Sequence, residues 1–215
     1  MWLWKPYFIH KALIEECAEG DILFYLDAAA FFISDVRMIE KVMDDDIYAT
    51  CLPYIEADWT KSETFDIMDM DKEVYKNSFQ YQASFMAFRK SMRSIMFVEE
   101  WLNNCCNPDL INPAQNIGKQ IETFQNHRMD QSCFSLLCKK YNVSPHKDPT
   151  QFGIWGYPEV RGARYVGIKM KNEYPIVIVL HRLKDFGLRN KLRLVKRTMC
   201  LISKNIIKNI RRKRC

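Results

Sequence analysis

From Pro6 onward, Ile9, Leu13, Ile14 and Cys17 recur at three- and four-residue steps until Gly20, a spacing that predicts a helix over residues 6–18 with Pro6 in its first turn and Gly20 as its stop. The next run, Ile22-Leu23-Phe24-Tyr25-Leu26, is apolar throughout and ends at Asp27. It is too short for a helix and reads as a buried strand. Ser34, Ser62 and Ser91 each stand where a side-chain oxygen can accept from the free amides of a first helical turn, predicting helices through about Met43, over about Glu63–Asp69 and through about Asn104. Between them, Ile47–Leu52 and Phe79–Phe88 have the composition of strands.

Asp130 opens a further predicted helix through Lys140, residues 145–165 read as irregular chain with Gly153, Gly156, Pro158 and Gly162, and Ile176–Leu180 reads as a strand. Strands alternating with helices imply an α/β layer structure, with ligands expected beyond the carboxyl ends of strands. From Leu188 to Arg214 the stripe Leu188, Leu192, Val195, Met199, Ile202, Ile206 and Ile210 predicts a basic amphipathic helix about 40 Å long.

Charge sharpens this division. From Arg182 onward there are 13 Lys or Arg and one acid, Asp185, so this stretch carries +12 and residues 1–181 carry −6 of a net +6. A cationic helix with one apolar stripe suits an anionic membrane surface. Packing of the stripe on the domain is the plainer alternative, and nucleic acid is not expected, because residues 188–215 hold no aromatic side chain for base stacking. With 48% hydrophobic and 27% charged residues over 215 positions, disorder, collagen and coiled coil are excluded as the state of the whole chain. Eight cysteines without a C-x-x-C pair, and histidines scattered at 10, 127, 146 and 181, exclude metal-finger spacing and point to reduced thiols. No run reaches 18 apolar residues and the first residues lack the pattern of a signal peptide, so the expected location is cytoplasmic, peripheral on the inner face of the membrane through residues 188–215.

Asp27, at the lip of a sheet, is placed where a carboxylate can hold a divalent cation against diphosphate oxygens, and a simple turn residue is its bland counterpart. Lys5 and Arg128 are cations suited to phosphate or carboxylate, and Asp130 suits either a helix cap or a general base. Trp2, Trp4, Trp101 and Trp155 suit either stacking on a sugar or base or, more commonly, core packing.

Three segments in order, Trp2-x-Trp4-Lys5-Pro6-Tyr7-x-Ile9, Gly20-Asp21-Ile22-Leu23-Phe24-Tyr25-Leu26-Asp27-Ala28 and His127-Arg128-Met129-Asp130-Gln131-Ser132, together resemble bacterial glycosyltransferases of GT-A fold. Two weaker agreements are Trp59-Thr60-Lys61 and Phe97-Val98-Glu99-Glu100-Trp101-Leu102, so the resemblance runs from residue 2 to about 182.

The resemblance implies a partial GT-A-like mixed sheet flanked by helices over residues 1–187, followed by the basic tail 188–215, and transfer of a sugar from a nucleotide-sugar donor to a glycan or lipid-linked acceptor in surface polysaccharide synthesis. It implies Asp130 as the catalytic residue, Lys5, Asp27, His127, Arg128 and Gln131 as donor- or acceptor-binding, and Asp27 with His181 as ligands of a Mn or Mg ion. Ala29 stands where the family's metal motif has its second carboxylate. The family's first nucleotide-binding unit precedes the W-x-W-K-P region, which here begins at residue 2, so the chain is expected to be the later part of such a domain. The alternative is an inactive remnant acting as a membrane-associated or partner-binding protein.

Overall fold

The computed structural model describes residues 2–113, 120–167 and 174–180, together with positions 192, 196, 199, 200 and 203. The side chains of residues 154 and 155 are not among them, so the stacking role considered for Trp155 lies outside the described residues, as does the tail helix apart from those five positions. The chain divides into two compact units, one of Met1–Tyr25, Met43–His146 and Pro158–Lys169, the other of Leu26–Val42, Lys147–Tyr157 and Met170–Cys215.

The first unit is a mixed sheet flanked by helices. Helix α1 (Trp4–Glu15) ends before Gly20, whose φ of +87° lets the chain turn back into β1 (Ile22–Leu26), the strand expected from the apolar run, which is half-buried at the edge of its sheet and not buried as expected. Strand β2 (Ala30–Phe32) and helix α2 (Arg37–Glu40) belong to the second unit and are described below. The next strand, β3 (Ile47–Ile55), leads directly into α3 (Glu56–Trp59), α4 (Ser62–Ile67) and α5 (Glu73–Lys76). Strand β4 (Phe79–Arg89) returns antiparallel to β3 and is followed by α6 (Met92–Cys106) and α7 (Pro108–Ile111). Helix α8 (Asp130–Lys140) precedes β5 (Pro145–His146), which pairs parallel to β3 and completes the sheet order β1-β4-β3-β5.

Helix α8 lies against β4, and α6 packs on both α8 and α1. Their shared core joins Ile9 and Leu13 of α1, Tyr81, Met86 and Phe88 of β4, Phe97, Val98 and Trp101 of α6, and Cys133, Phe134 and Leu137 of α8. The described cysteines are all free thiols.

Of the three serines read as caps, Ser91 is one: its hydroxyl accepts from the Ser94 amide at 3.2 Å while Ser94 Oγ accepts from the Ser91 amide at 3.1 Å. Ser62 is instead the first residue of α4 and makes no cap. Ser34 lies outside the shorter α2, and its hydroxyl donates to the Ile176 carbonyl at 3.0 Å. Asp130 also does not cap. It is the first helical residue of α8, behind Met129, and its carboxylate is engaged elsewhere.

In the second unit, β2 pairs antiparallel with β6 (Ile178–Leu180), so the strand expected at 176–180 forms its own two-stranded sheet and does not extend the first. A short helix, α9 (Phe152–Trp155), interrupts the stretch read as irregular. Asp148 is buried there, accepting from the Thr150 amide at 2.7 Å and from the Tyr157 hydroxyl, and burial pushes its carboxyl up to about 6.

Candidate functional site

Five separate segments meet at the N-terminal end of α8. The centre is a buried ion pair: Lys5 Nζ lies 3.1 Å from an Asp130 carboxylate oxygen and donates to the Ala83 carbonyl of β4 at 2.8 Å. Lys5 is 5% exposed and Asp130 4%, so neither charge could be left alone without a desolvation cost of several kcal/mol. The local sequence explains the arrangement. Pro6 and the apolar face of α1 pin the first helical turn to the core, and Lys5 points inward with that face, its side chain reaching β4. Trp101 of α6 fixes the other partner, donating from its indole to the Asp130 carbonyl at 2.9 Å.

The residues just before α8 are held equally tightly. His127 is 1% exposed; Nδ1 accepts from the Lys61 amide at 3.4 Å, and Nε2–H donates to the Leu110 carbonyl at 2.7 Å, an arrangement that requires the neutral ring. Burial drives its pKa down to about 4, the Lys61 cation adding to the effect. The Arg128 guanidinium lies 4.0 Å from the Trp59 ring centroid and 5.2 Å from that of Tyr54, and the Arg128 amide donates to the Trp59 carbonyl at 3.1 Å. Met129 takes φ +49° and ψ −116°, a strained conformation for a side chain with a Cβ, which turns the chain from the His127–Arg128 anchor into α8. Ser132 Oγ then donates to the Trp59 carbonyl at 3.0 Å.

Gln131 leads into a second buried network. Its amide nitrogen donates to Gln80 Oε1 at 2.9 Å, and its Oε1 accepts from the Ala83 amide at 3.3 Å. Gln80 Nε2 passes the contact to Glu56 Oε1 at 3.0 Å, where Thr60 Oγ1 also donates at 2.6 Å. The other Glu56 oxygen accepts from Ser135 and Lys139, both on α8. Burial pushes the Lys139 ammonium below its usual range, with Glu56 pulling the opposite way. A third buried carboxylate, Asp58, holds the neighbouring loops: it accepts from the Arg164 guanidinium at 2.9 Å and from the Thr123 hydroxyl at 2.7 Å.

Of the residues expected to act in the site, Lys5, His127, Arg128, Asp130 and Gln131 are therefore gathered in the first unit. Asp27 is half-buried in the turn Asp27-Ala28-Ala29 that links β1 to β2, and it falls in the second unit. His181 lies outside the described residues. Among the described residues, no group of three or more His, Cys, Asp or Glu side chains could hold a metal ion. Glu56, Asp58 and Lys139 were not expected. The only available signal was the position of single charges beside apolar runs, Glu56 after Tyr54-Ile55 and Lys139 after Leu136-Leu137-Cys138.

No family model, no curated protein and no solved structure matches the chain. Function must therefore be read from the residues and their geometry.

Two outcomes follow from this geometry. Lys5→Met and Asp130→Leu should each lower unfolding free energy by about 3–5 kcal/mol, since each strands a buried charge, whereas the double variant should lose clearly less than the sum. Urea denaturation of the four proteins measures this coupling. His127 binds its proton near pH 4 when folded and near 6.5 when unfolded, so the unfolded state holds more protons in that window and His127 removes stability as pH falls through it. Asp148 acts with the opposite sign below about pH 6. The wild-type stability relative to His127→Gln should therefore decline from pH 6.5 to pH 4, a difference in which the Asp148 contribution cancels.

Proposed function

We propose that the chain is a glycosyltransferase of GT-A type, moving a sugar from a nucleotide-sugar donor to a glycan or lipid-linked acceptor in surface polysaccharide synthesis. The observation that carries this reading is the meeting of the W-x-W-K-P segment, Tyr25 of β1 and the H-R-x-D-Q-S segment around one buried ion pair, with Lys5 Nζ 5.5 Å from the Tyr25 ring centroid and 3.1 Å from Asp130. The weaker agreements meet there too: Trp59 under Arg128, the Lys61 amide on His127, and Trp101 on the Asp130 carbonyl. Segments that resemble a family one by one are more telling when they are neighbours in space.

In this reaction an acceptor oxygen forms a bond to the anomeric carbon while the bond from that carbon to the diphosphate oxygen breaks, and the electron pair leaves with the nucleoside diphosphate. The acceptor hydroxyl must lose a proton, and charge grows on the leaving group. Asp130 is the carboxylate assigned to accept the proton of the acceptor hydroxyl as general base, with Lys5 as its electrostatic partner and Gln131 and Arg128 as neighbours on the same chain turn. Asp27 remains a candidate donor- or acceptor-binding residue on the resemblance alone.

A specific observation favours the second reading, a non-catalytic binding protein. Asp130 is paired and buried, and both ends of the Gln131 amide are already satisfied by Gln80 and Ala83. Incubation with a panel of nucleotide sugars separates the two: the first reading expects release of nucleoside diphosphate, and no release and no binding with any donor would eliminate it. Asp27→Asn should weaken donor affinity at least tenfold with an unchanged melting temperature.

For the tail, we infer contact with an anionic membrane surface. Leu192, Lys196, Met199, Cys200 and Ser203 are helical and exposed, and the two stripe residues among them, Leu192 and Met199, are 62% and 66% exposed. Among the described residues, no helix is long and apolar enough to cross a membrane. The full chain should co-sediment with phosphatidylserine vesicles, and a Leu192→Glu, Met199→Glu double variant should lose most of that retention. Equal sedimentation of the two proteins would remove the membrane assignment.

A further inference from the structure

We draw no further inference here: the strongest candidate, the patch of exposed aromatic side chains at the start of α1 made up of Trp2, Trp4, Tyr7 and Phe8, carries none because nothing in the structure shows what covers it.

Discussion

A lysine ammonium removed from water must meet a carboxylate, and much of the first unit is arranged around that requirement. Lys5 can reach Asp130 only if the first turn of α1, the middle of β4 and the start of α8 converge, and all three do. The indole of Trp101 holds the Asp130 carbonyl from α6, so the backbone and the side chain of one residue are fixed by two different helices. The strained backbone of Met129 is tolerated because its neighbours on both sides are over-determined, by His127 and Arg128 before it and by Asp130 after it.

The polar residues of this region serve two purposes at once. His127, neutral and enclosed, ties the Leu110 carbonyl to the Lys61 amide, and Arg128 spreads its charge over two aromatic faces. Such groups make a precise frame, and a frame of this kind is what a reacting centre needs. The same observations describe a very well satisfied interior.

The elements were legible where local chemistry decided them. The run Ile22–Leu26 became β1 because nothing polar interrupts it, Ser91 became a cap because a serine follows three residues later, and Asp130–Lys140 became α8 to the residue. The failures have a common physical cause. Ser34 and Asp130 spend their side chains on partners 142 and 125 residues away in sequence, at the Ile176 carbonyl and at Lys5, which no local pattern announces. Strand β4 is similar: Gln80 and Gln82 alternate with apolar residues as if facing water, but both are buried, because Glu56 and Gln131 supply partners for Gln80 from distant segments. The gathering of Lys5, His127, Arg128, Asp130 and Gln131 was legible only as a resemblance among separated segments; their contacts depended on tertiary structure.

Helix α8 is held near both ends by lysine–carboxylate pairs, Asp130 to Lys5 and Lys139 to Glu56. Nine residues separate the two attachments, which at about 100° and 1.5 Å per residue places them on opposite sides of the helix and roughly 14 Å apart along it. A slip by one residue, or a roll about the axis, would break both pairs together, so the helix is locked in register like a strut bolted at each end on opposite faces. Its lysine and carboxylate positions are then not free to drift singly through sequence change. Descendants of this chain would be expected to keep each pair, or to replace both members of a pair in concert by apolar residues of matching volume.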